Sequence, residues 1–176
     1  MKSLTKVKVS TFTKKHVMPH ITFNAIERAI DRIDNLDDDG LEALSEKYAK
    51  SQPDLLGYVL SAPAEYGNEE LGGLLIYYYC LISDAFQEEG LQPNTVSNED
   101  IEAFEEPFFE LLEALYDAEN LDILEDFCDQ PELVKFMSME ISTEDVDGTS
   151  LSEETANQLF IVCIALITLL SRACSN

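Results

Sequence analysis

Two stretches of this chain, residues 68–88 and 152–172, carry apolar side chains all around a helix rather than along one stripe. The first holds Leu71, Leu74, Leu75, Tyr78, Leu81, Ile82 and Phe86; the second runs through Leu159–Ile167 to Leu169 and Leu170. A helix of that kind must be covered on every side. The pair is therefore predicted to form the centre of an all-α bundle, wrapped by amphipathic neighbours. Gly72-Gly73 inside the first costs about 1 kcal/mol per glycine relative to alanine, and is read as a place where another helix comes close. The apolar run at Leu159–Leu170 falls short of the roughly 20 residues that span a bilayer, so a buried core helix is predicted and no membrane partner.

The segments between these two are helical in period. Phe23, Ile26, Ile30 and Ile33 follow Thr22, a good N-cap; Leu41, Leu44 and Tyr48 follow an acidic turn; Pro53 suits a first helical position. Gly90 closes the first central helix, as glycine does past many helix ends. Later, Ser97 precedes Ile101, Phe104, Phe108 and Leu111, with a kink or break expected at Pro107. Leu121, Leu124 and Phe127 make a short helix, Pro131 opens another, and Ser150 with Glu153 resembles a capping box. Seven to nine helices are expected.

The halves echo each other. Gln52-Pro53-Asp54-Leu55-Leu56 matches Gln130-Pro131-Glu132-Leu133-Val134, and each central helix opens with paired glutamates, Glu69-Glu70 and Glu153-Glu154. This pattern suggests a duplicated four-helix unit, residues 22–90 and 97–173, with the two apolar helices at its centre.

Charge sets the functional reading. The chain has 35 acidic residues against 11 Lys plus Arg, a net of −24. Residues 1–20 hold five of the lysines and no carboxylate, so residues 21–176 carry six basic side chains against 35 acidic ones, a net of −29. A basic arm (1–21) thus precedes an acidic helical domain (22–176). Lys6-Val7-Lys8-Val9 alternates as a short strand does, but a lone strand is unstable, so the arm is expected to dock on the body or on another subunit of a homo-oligomer. Direct nucleic-acid binding by the body is disfavoured, because phosphate affinity needs Lys and Arg. Four well-separated cysteines without a CxxC pair fit free thiols in a reducing cytoplasm.

Glu102, Glu106, Glu110 and Glu113, with Glu105 beside them, form one stripe on a helix. Like charges at that spacing destabilise a helix by roughly 0.2–0.5 kcal/mol per pair, so helix stability does not account for them. They are the predicted partner-binding residues, with Asp37, Asp38 and Asp39 as a second patch. Asn35, Asp37, Asp39, Gly40 and Glu46 also stand at positions 1, 3, 5, 6 and 12 of an EF-hand-like loop, although Glu42 and Ala43 depart from it. Thr143, Asp145, Asp147, Gly148 and Glu154 make a second partial match. Asn35, Asp37, Asp39 and Glu46 are accordingly the candidate ligands for calcium or another divalent cation. A metal-dependent helical hydrolase would use clustered Glu and Asp, but basic residues for phosphate are scarce. Nucleophilic catalysis lacks a recognisable activating frame, and no catalytic residue is assigned.

The sequence thus leads to an acidic, non-enzymatic binding domain that recognises a basic protein: an inhibitor, an immunity-type antidote or a mimic of nucleic-acid charge. The alternatives are the metal-dependent hydrolase and a degenerate calcium module.

Overall fold

The computed structural model describes residues 18–118 and 122–174; the alternating stretch of the arm and His16 lie outside them. Among the described residues are eight helices and no strand: α1 (Phe23–Asp34), α2 (Asp38–Ser51), α3 (Pro53–Tyr66), α4 (Leu71–Glu88), α5 (Asn98–Ala118), α6 (Asp122–Cys128), α7 (Pro131–Ser142) and α8 (Glu153–Cys174).

The all-round apolar helices are the centre. α4 packs on α8; α1, α2 and α3 cover α4, and α3, α5, α6 and α7 cover α8. α8 is buried without a break from Val162 to Ser171, and α4 from Tyr78 to Phe86. Each large aliphatic or aromatic side chain buried there stabilises the fold by about 1.5–3 kcal/mol. α8 is long and apolar enough, by length and composition, to cross a membrane; here most of it is covered by the other helices.

Local chemistry sets the helix ends. The Thr22 hydroxyl accepts from Ala25 N–H (3.3 Å), Pro53 and Pro131 open α3 and α7, and Gly90 follows α4 at φ +79°. Three expectations are corrected. α8 is capped by Ser152, whose hydroxyl accepts from Thr155 N–H at 3.1 Å, and not by Ser150. At Pro107, where a kink or break is expected, α5 continues without a break. Pro107 and Ala103, whose carbonyl loses its helical donor, are both exposed, so water can replace that bond, while Phe104 stacked on Phe108 (4.7 Å) anchors both flanks to the core. No helix crowds the glycine pair: a Cβ on Gly73 would meet nothing within 4 Å, and one on Gly72 only Pro63 at 4.0 Å.

Two buried glutamines fasten the connections. Gln52 accepts from Val96 N–H (2.8 Å) and donates to Asn94 C=O (2.9 Å). Gln130 accepts from Ile21 N–H (2.7 Å) and donates to Pro19 C=O and the Ser171 hydroxyl, both at 3.2 Å. Ile21 is fully buried, so residues 19–21, assigned to the arm by charge, are held in the body.

Candidate functional site: an acidic helix face

α5 begins with a reciprocal cap: Ser97 N–H donates to Asp100 Oδ2 (2.9 Å), and Asp100 N–H donates to Ser97 Oγ (3.2 Å). From there the 3.6-residue period turns Ile101, Phe104, Phe108 and Leu111 into the core. The opposite side carries Glu102, Glu106, Glu110 and Glu113, all exposed, with Glu105 half-buried at the edge. Glu105 lies beside Tyr58 of α3, whose hydroxyl is pushed up to about 12, first by burial and then by the carboxylates of Glu105 and Glu65. The five glutamates make no ion pair among the described residues, and α5 itself has no basic side chain.

This face is not purely charged. Phe109 is 55% exposed and Tyr116 93% exposed. Glu102, Glu105, Glu106, Phe109, Glu110 and Glu113 line one shallow depression of about 440 Å³. Leu112, Glu113, Tyr116 and Asp117 line a second of about 500 Å³. The structure therefore brings the five predicted glutamates together and adds two aromatic side chains that the charge argument passed over. Their outward placement was readable from the same helical period.

The second patch has a local explanation. Asp37 caps α2 by accepting from Gly40 N–H (2.8 Å), and Asp38 and Asp39 occupy its first turn, where carboxylates favour the helix dipole. A Cβ on Gly40 would come within 3.0 Å of Leu36 and 3.1 Å of the Asp37 carboxylate, so glycine serves this tight cap.

The same geometry spreads the cation candidates Asn35, Asp37, Asp39 and Glu46 apart. α2 starts at Asp38, so seven residue steps along the helix, about 10 Å along the axis, separate Asp39 from Glu46. Asn35 Nδ2 is turned to Asp31 C=O (2.7 Å), and Glu46 lies 3.8 Å from Lys50. In the second partial match, the carboxylate of Asp147 accepts from Thr149 N–H (3.0 Å) and hydroxyl (2.6 Å), which holds it below the usual carboxylate range. Among the described residues no three His, Cys, Asp or Glu side chains are grouped to hold a metal ion.

A buried polar set escaped the sequence reading. Asp84 of α4 is fully buried; its Oδ1 accepts from the Tyr48 hydroxyl (2.5 Å) and lies 3.5 Å from Arg32, while Oδ2 has no partner among the described residues. Its signal was one carboxylate inside an otherwise apolar helix. Nearby, Lys47, Tyr48, Ser83, Phe86, Gln87 and Pro93 help to line a cleft of about 410 Å³. Across the 91–97 connection, Asn94, Thr95, Asp100, Phe104 and Arg172 help to line another of about 370 Å³, where Arg172 lies over the rings of Phe127 (4.7 Å) and Phe104 (5.5 Å). His20, 3.6 Å from Asp129, lines neither cleft. The four thiols are unpaired, and burial pushes all of them up, Cys128 to about 12 and Cys174 to about 11.

Fold and face together define an acidic helical bundle, with eight helices among the described residues, whose α5 face carries exposed aromatic side chains. No family model matches the chain, and searches of curated proteins and of solved structures match none.

Proposed function

We propose that this protein is a non-enzymatic binding domain whose α5 face recognises a basic protein partner, as an inhibitor, an antidote or a mimic of nucleic-acid charge would. The observation that carries this reading is the exposure of Phe109 and Tyr116 among Glu102, Glu106, Glu110 and Glu113. Carboxylates that only keep a protein dissolved need no aromatic side chains among them. Interfaces concentrate binding energy in such anchors, while surrounding charge steers the partner and rejects acidic competitors. The setting we assign is the reducing interior of the cell, supported by four thiols that form no disulfide.

We also infer that residues 22–90 and 97–173 derive from one four-helix unit. Gln52 and Gln130 support this: both precede a helix-opening proline at nearly the same backbone angles (φ −138°, ψ 61° and φ −136°, ψ 70°), both are buried, and both hold the segment leading into the opposite half.

The test is capture of partners from source-cell lysate on the immobilised full chain, with stepwise salt elution. Two variants run beside it: Phe109→Ala with Tyr116→Ala, and Glu102, Glu106, Glu110 and Glu113 each changed to Lys. The expected result is a basic protein held at one-to-one stoichiometry by the native chain and lost from both variants. Equal retention by the charge-reversed chain would overturn the assignment.

A further inference from the structure

The α5 face has a match within the same chain. Residues 1–17 contain Lys2, Lys6, Lys8, Lys14 and Lys15 and no carboxylate, with Val7, Val9 and Phe12 interspersed. We propose that this basic arm is the face's own occupant, competing with the external partner for the glutamates and for Phe109 and Tyr116. The inference rests on the reading of α5 as the recognition surface.

Three observations support the pairing. The first is complementarity, a cationic segment with apolar side chains against an anionic face with apolar side chains. The second is that several acids on other helices are already engaged. Glu88 is met by Arg28 and Arg32, Asp84 by Arg32 and Tyr48, Glu46 by Lys50, and Asp37 by its cap. The α5 glutamates have no cation among the described residues.

The third is reach. The chain enters the body where Gln130 binds Pro19 and Ile21, and Gln130 also binds Ser171. The next residue, Arg172, lies against Phe104 of α5 and Phe127 of α6. Seventeen residues extend to at most about 60 Å. α5, at 21 residues, is about 32 Å long and, like any helix, about 10–12 Å across. That length exceeds α5, so its outer face lies within reach of an arm starting there. Tethering also places it at an effective concentration on the order of millimolar, so weak individual contacts suffice.

The experiment is zero-length carbodiimide coupling of the full chain at low protein concentration, at low and high salt. Peptides are mapped by mass spectrometry, and isotope-mixed chains separate intrachain from interchain links. The expected links join Lys6, Lys8, Lys14 or Lys15 to Glu102–Glu113 of the same chain, and fall about tenfold at high salt or in the charge-reversed variant. Links to the Asp37–Asp39 patch, links between chains, or none at low salt would overturn the proposal. A second measurement adds a synthetic peptide of residues 1–17 to the full chain with its five arm lysines changed to Ala. It should bind that chain about tenfold more tightly than the native one, whose face is occupied in cis; equal binding would overturn the competition. If the arm misses α5 while partner capture still depends on it, only this inference falls. If the arm maps to α5 and no partner is captured, the recognition reading falls instead.

Discussion

Gln52 and Gln130 make matching contacts in opposite directions. Gln52, ahead of α3, holds Asn94 and Val96, which lead into α5; Gln130, ahead of α7, holds Pro19 and Ile21, which lead into α1. Each half is thereby fastened by a residue from the other, through backbone groups that no helix satisfies. A buried polar group left without its partner costs about 1–3 kcal/mol.

Gln52→Ala and Gln130→Ala are therefore each expected to lower stability by about 2–4 kcal/mol, since each strands a buried N–H together with a carbonyl. Chemical denaturation checks this. A loss below about 0.5 kcal/mol in both would mean that the glutamine bonds do not hold the halves.

The buried carboxylate of Asp84 leans on Tyr48 and Arg32. Tyr48→Phe removes one donor at almost constant volume and is expected to cost about 1.5–3 kcal/mol, the range for a hydrogen bond to a charged group. Changing Asp84→Asn in that background should recover part of the loss, because an uncharged amide tolerates burial better. A double-mutant cycle by thermal unfolding checks it, and strictly additive losses would show that the two side chains are not coupled.

How much of this was legible follows from which forces act locally. The helical period and the Gln-Pro starts were enough to place the bundle and its two central helices, because an all-round apolar helix has nowhere else to go. The glutamate stripe was legible for the same reason. Phe109 and Tyr116 were passed over, although their spacing from Phe104 and Phe108 turns them outward. Spacing alone does not reveal where a helix begins: Asp37 caps α2, and the cation candidates after it wind along the helix rather than gathering. Asp84 and the contacts of Gln52 and Gln130 join residues 36 to 111 apart in sequence, and no local pattern encodes such partners.

Alkali should unfold the protein through its tyrosines and thiols. Burial raises Tyr58 and Tyr77 to about 12, from an ordinary 10.0, and Cys128 to about 12, from 9.0. A folded-state value above the unfolded one means that the folded chain favours the neutral form. That contribution is complete below pH 9 for the thiols and pH 10 for the phenols, and it is lost as pH climbs to about 12. Unfolding between about pH 10 and 12 is expected to coincide with cooperative appearance of phenolate absorbance. Alkylation by iodoacetamide at neutral pH should stay slow for Cys80, Cys128 and Cys163 until the chain unfolds. Rapid modification of all three in the folded protein would contradict the burial that sets these shifts.

The α5 stripe should cost stability that its function explains. Glu106 stands four residues from both Glu102 and Glu110, so Glu106→Lys replaces two repulsive pairs with two attractive ones. At roughly 0.2–0.5 kcal/mol for each change, the variant is expected to gain about 1 kcal/mol at low salt. Raising sodium chloride should stabilise the native chain and narrow this gap, since the Debye length falls from about 10 Å at 0.1 M to 3 Å at 1 M. The same substitution should weaken capture of the basic partner, so stability and binding move in opposite directions. Thermal unfolding across a salt series, set beside partner retention, checks both. A variant no more stable than the native chain at low salt would mean that the carboxylates do not repel one another, and the case for a stripe kept for binding would lose its energetic ground.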